Sequence, residues 1–93
     1  MQIKYSKHLK TRLILRKIDY DLPQQIFEKA EERFMDTLTG HSIAVAKVVI
    51  YDKERDVMVA YKHEEVDVRL LTIHPLKEGQ KDNRVKTSRW RRL

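Results

Sequence analysis

Ile43-Ala44-Val45-Ala46-Lys47-Val48-Val49-Ile50-Tyr51 is the stretch that decides the fold. β-Branched residues dominate it and no helical stripe runs through it, so it predicts a strand. Asp52-Lys53-Glu54-Arg55-Asp56 then reads as a charged turn, Val57 to Lys62 as a second strand, His63-Glu64-Glu65 as another turn, and Val66 to His74 as a third strand. Connections this short favour an antiparallel meander over residues 41–75, ended by Pro75.

Upstream of the meander the period is helical. Ile3 to Tyr5 can form a short opening strand, and Ser6 is placed to cap a first helix through Lys17 that buries Leu9, Leu13 and Leu15. Asp19-Tyr20-Asp21 interrupts it. Asp21 before Leu22-Pro23-Gln24 has the form of a capped helix start with proline in the first turn. Ile26, Phe27, Ala30, Phe34 and Leu38 then recur at helical spacing, which predicts a second amphipathic helix ending at Gly40. Residues 1–40 are therefore read as helical, and residues 76–93 as a basic tail punctuated only by Gly79. The expected fold is α+β in the order β-α-α-β-β-β, with two helices on one face of a small antiparallel sheet.

A chain of 93 residues, 41% of them hydrophobic, has room for one core and one domain. Without cysteine it forms no disulfide, no thiolate zinc site and no cysteine nucleophile. No apolar run approaches the roughly 18 residues of a membrane span, and the opening residues are too few and too polar for a signal peptide. The expectation is a cytoplasmic protein with no membrane partner. Its net charge of +6 is unevenly spread. Lys4, Lys7, Lys10, Arg12, Arg16 and Lys17 precede the first acid, the middle of the chain is acidic, and Lys77, Lys81, Arg84, Lys86, Arg89, Arg91 and Arg92 crowd the end. Brought together, the two ends would make one electropositive face for a polyanion, most simply RNA. Unless they meet, they are ordinary solvated surfaces.

Three constellations can carry chemistry. His8, Arg12 and Arg16 are four residues apart and share a helix face, so an imidazole and two guanidiniums point the same way; the plain alternative is a basic surface helix. His74 ends a strand just before Pro75, where an imidazole can serve as general acid or base in phosphodiester cleavage or be a hydrogen-bonded turn residue. Arg84 through Arg92 combines cations with the one tryptophan, Trp90, which can stack on an unpaired base or cap the core. His41 and His63 flank strands without an assigned role. The histidines lack the spacing of a helical metal site, and Gly40 and Gly79 stand alone, so no metal, phosphate loop or cofactor is expected.

The pattern His8-x-x-x-Arg12-x-x-x-Arg16-x-Ile18, followed by a helix and three strands ending in Leu71-Thr72-Ile73-His74-Pro75, resembles a domain family of unknown function grouped with the BrnT-like and RelE-like toxins. The closing run from Pro75-Leu76-Lys77 through Arg84 to Ser88-Arg89-Trp90 is similar to the tails of some members. The resemblance spans nearly the whole chain. It implies a RelE-like fold, toxicity through RNA cleavage and a neutralising antitoxin. By position it carries over His74, Arg84 and Arg89 as catalytic candidates, with Arg12 and Arg16 from the helix. The ribosome-dependent members rely on lysine, arginine and tyrosine, and a central histidine departs from them.

Three functions are therefore expected in order. The first is a metal-independent endoribonuclease in which a 2′-hydroxyl attacks phosphorus, His74 acts as base or acid, His8 or a tail lysine as the second group, and arginines stabilise the phosphorane. Arg12, Arg16, Lys77, Lys81, Lys86, Trp90, Arg91 and Arg92 would hold the RNA. The second is a noncatalytic RNA- or DNA-binding module, and the third a protein-interaction domain with an acidic partner.

Overall fold

The hairpin at the centre of the molecule is tighter than its sequence announces. In the computed structural model, which describes all residues from Met1 to Leu93, strand β3 (Ser42–Ile50) pairs antiparallel with β4 (Lys53–Glu64) down to Ile50 opposite Lys53. The turn is only Tyr51 and Asp52, both left-handed with φ of 53° and 60°. Two left-handed residues match the right-handed twist of the flanking strands. The pattern Tyr-Asp lacks the Asn-Gly signature, which is why a longer charged turn was expected. Lys53 to Asp56 instead continue β4, with Asp56 opposite Lys47. A second two-residue turn, Glu65-Val66, leads from β4 to β5 (Asp67–Pro75).

The expected meander is present, and three elements are added around it. Strand β1 (Ile3–Tyr5) lies parallel to β5, while β2 (Glu32–Asp36) pairs with β3 and β6 (Trp90–Arg92) with β2. The sheet is six-stranded and mixed, in the order β1-β5-β4-β3-β2-β6. Helix α1 (Lys7–Arg16) is capped by Ser6, whose hydroxyl accepts from the Leu9 N–H. It ends without glycine: Lys17 is left-handed, Ile18 N–H reaches the Leu13 carbonyl, and Ile18 is buried behind the cap. Leu9 and Leu13 are buried as expected, whereas Leu15 is 75% exposed.

Helix α2 (Leu22–Lys29) corrects the sequence reading most clearly. It stops at Lys29, and Phe34 and Leu38 do not extend it. Phe34 and Asp36 are buried while Arg33 and Met35 are not, the two-residue period of a strand. A buried carboxylate at one of the inward positions hid that period. Gly40, with φ of 78°, turns β2 into β3 and caps no helix. Nor is the C-terminal segment a tail: α3 (Gln80–Lys86) and β6 are ordered parts of the fold. The complete order is β-α-α-β-β-β-β-α-β. No helix is long and apolar enough to cross a membrane.

Two apolar clusters occupy the two faces of the sheet. On one, α1 and α2 bring Leu9, Leu13 and Ile26 onto Ala44, Val57, Val59, Val68, Leu70 and Ile73. On the other, Phe34, Ile43, Val45, Met58, Ala60, Leu76 and Trp90 pack together, with Val85 of α3 against them. The second face is covered only in part. What remains open is the candidate site.

Candidate functional site

A one-residue insertion in β5 determines what that open face carries. Ala60 pairs with Thr72 and Tyr61 with Leu70, leaving Leu71 as a β-bulge. Had the alternation of Val68 and Leu70 continued, Thr72 and His74 would face the helices. The bulge shifts the alternation, sends Ile73 into the helix-covered core and turns Thr72 and His74 to the other face beside Met58 and Ala60.

Two clefts meet there. The inner one, about 480 Å3, is floored by Ile43, Met58 and Ala60 and edged by His41, Thr72, His74, Lys77, Arg84 and Arg89. The outer one, about 410 Å3, is bounded by Ser6, His8, Lys62 and Leu71 and shares His41, Thr72 and His74 with the first. Together they form one groove along the end of β5. Its only carboxylate belongs to Asp36, which is buried.

Asp36 anchors the C-terminal segment. Its Oδ1 accepts from the Leu38 and Thr39 N–H groups and from Arg89 Nε at 2.9 Å, and its Oδ2 accepts from Trp90 Nε1 at 3.2 Å. Burial opposes the carboxylate charge, but the bonds from Arg89, Leu38, Thr39 and Trp90 outweigh it and hold the pKa down to about 2. Trp90 is stacked on Phe34 and 3% exposed, so it caps the core and presents no face to a base. This removes Trp90 from the expected RNA-binding set.

Lys81 and Arg92 are also engaged: both pair with Glu32, at 2.7 and 3.1 Å, and Arg92 lies over the Phe34 ring. Lys86 and Arg91 are exposed but lie outside the groove. Lys77 and Arg84 line the inner cleft and form no ion pair. Of the expected cations, these two are the free ones in the groove.

His74 and Arg12 come together as the helix stripe could not foretell. Strand β1 covers β5 only as far as Leu70, so the outer edge beyond it lacks a strand partner. Ser6 Oγ donates to the Leu71 carbonyl and Arg12 Nε to the Ile73 carbonyl, both from α1 or its cap. Arg12 Nη2 also donates to His74 Nδ1 at 2.7 Å. Burial of the ring, then the charges of Arg12, Arg16 and His8, lowers the His74 pKa from its ordinary value. A guanidinium only donates, so Nδ1 is the acceptor and the ring proton of neutral His74 is on Nε2. His74 thus presents an N–H to the groove.

The two basic segments do not meet through their terminal strands, which are the opposite edges of the sheet. They meet at His74, touched by Arg12 from the N-terminal segment and sharing a cleft with Lys77, Arg84 and Arg89 from the C-terminal one. Arg16 is exposed and adds its charge near His74, and its carbonyl accepts from Tyr51 Oη. Sequence reasoning missed His41, Thr72 and Asp36. Without the Leu71 bulge and the β2 strand, nothing in the sequence connects them. The three groove histidines are not gathered into a metal-ligand set. No protein-family model, curated protein or solved structure matches this chain.

Proposed function

We propose that the protein binds RNA along this groove. One observation carries the reading: His41, His74, Lys77 and Arg84 share a continuous concave surface whose sole carboxylate is buried and already neutralised by Arg89. A phosphate chain laid there meets donors and cations and no free acid. The floor of Ile43, Met58 and Ala60 is itself buried, so the contact is made to phosphate and ribose rather than to a base face. Titration of labelled single-stranded RNA across a range of salt tests it. Affinity should fall steeply with salt, as counterion release requires; salt-independent or absent binding removes the proposal.

Cleavage is the second reading, favoured by the convergence of His8, His41 and His74 on one groove. In-line attack by a 2′-hydroxyl needs a group that takes its proton. With Nδ1 occupied by Arg12 and Nε2 protonated, His74 supports the transition state as a donor, and the base falls to His8 or His41. Incubation with an RNA pool in EDTA separates the two: 2′,3′-cyclic phosphate ends that disappear in His41→Ala or His8→Ala mean an endoribonuclease, and intact RNA means a binding module. A toxin role with an acidic neutralising partner belongs to the cleavage reading.

A further inference from the structure

Among the buried side-chain polar atoms, Thr72 Oγ1 alone has no hydrogen-bond partner. Buried hydroxyls are nearly always satisfied, and an exception calls for an explanation. This one is on the bulged segment of β5, and Thr72 lines both clefts between His41 and His74. Its neighbour His74 lines the same clefts and carries its ring proton on Nε2, because Arg12 holds Nδ1. The groove wall therefore pairs a hydroxyl that donates and accepts with a ring N–H that only donates.

We infer that Thr72 and His74 together read the ribose 2′-hydroxyl and give the groove a preference for RNA over DNA. This rests on the groove binding nucleic acid at all. A 2′-hydroxyl is itself donor and acceptor, and it is what distinguishes RNA from DNA at a contact of this kind. Its proton goes to Thr72 Oγ1 and its oxygen accepts from His74 Nε2. The contact requires the Thr72 hydroxyl, covered in this structure, to turn to the groove side by a change of χ1 between staggered wells. A deoxyribose offers neither partner and leaves both protein groups unsatisfied.

The test compares a short single-stranded RNA, the DNA of the same sequence and its 2′-O-methyl RNA by fluorescence anisotropy. The unmodified protein should bind RNA at least about tenfold more tightly than DNA, the difference expected of two net hydrogen bonds. The 2′-O-methyl form, which can still accept from His74 but no longer donates to Thr72, should bind less tightly than RNA. Thr72→Val, nearly isosteric, should lower RNA affinity toward the DNA level, leaving only the bond from His74, while Thr72→Ser keeps the full preference. Equal binding of RNA and DNA by the unmodified protein overturns the hydroxyl contact while leaving the groove intact. A preference undiminished in Thr72→Val overturns it too, and binding of neither nucleic acid removes the groove reading and this inference together.

Discussion

The two faces of the sheet are built from the same strands and do different work. The helix face is closed: Leu9, Ile26, Val57, Val59, Val68, Leu70 and Ile73 are at most marginally exposed, and both long-helix seams lie over them. The other face also buries a cluster, Phe34, Ile43, Val45, Met58, Ala60, Leu76 and Trp90, but carries beside it a groove edged by imidazoles and cations. Adjacent residues of β5 divide between the two, Ile73 going to the core and Thr72 and His74 to the groove. The difference teaches that both faces bury an apolar cluster but only the second also carries an open groove, with the Leu71 bulge assigning Ile73 to one and Thr72 and His74 to the other.

The contrast is broken most forcefully by truncation of the core. Leu9→Ala or Ile26→Ala should cost about 2–5 kcal/mol of stability in denaturant unfolding, since both side chains are fully buried. Lys77→Ala, on the groove rim, should stay within about 0.5 kcal/mol. Comparable losses from the two kinds of variant would mean that the groove residues hold the fold.

Asp36 tests the border between the faces. Its pKa of about 2 lies below the value of 3.8 that it has when unfolded, so its contribution is complete above pH about 4 and lost as pH falls toward 2. The shift corresponds to roughly 2 kcal/mol. Asp36→Asn should remove that much at neutral pH and flatten the stability profile between pH 4 and 2; an unchanged acid limb would show that the Arg89 and Trp90 contacts do not depend on the charge.

A smaller effect sharpens the groove itself. Arg84→Ala should weaken RNA binding several-fold and reduce the salt slope by about 0.7, one phosphate contact on a single strand. Its melting curve should hardly move. The smallest expected change is spectroscopic: Arg12→Ala removes both a cation and the donor at Nδ1, so the His74 pKa should rise, as followed by NMR titration of the ring. Because that pKa is lowered in the folded protein, the contribution of His74 to stability is present above 6.5, the value it has when unfolded, and is lost as pH falls through the folded value. No rise in Arg12→Ala would place the cause in burial and the charges of Arg16 and His8.

Much of this was legible in the chain. The β3 to β5 run declares itself through Val, Ile and Tyr, and Ser6 and the Leu9 and Leu13 spacing declare α1. The rest was hidden by tertiary context. Phe27, Ala30 and Phe34 mimic a helix stripe, but Phe34 belongs to a strand whose next inward residue is the carboxylate Asp36, and the donors that make Asp36 tolerable come from residues 89 and 90. Likewise the terminal basic run reads as a solvated tail because beyond Leu76 its apolar anchors in the core are only Val85 and Trp90. His74, Arg84, Arg89 and Lys77 stand out in the sequence and do share a cleft. Thr72 was not, because a bulge has no sequence signature when the inserted residue, here Leu71, is an ordinary strand former.

The measurement that most directly tests the groove as the RNA site is an amide chemical-shift map of the labelled protein titrated with single-stranded RNA. The changes should concentrate at His41, Thr72 to Lys77, Arg84 and Arg89, leaving the acidic hairpin segment around Glu54 and Asp56 and the helix-covered core still. Changes centred on the outer face of α1 at Lys7, Lys10 and Ile14, with the groove amides unmoved, would contradict the account.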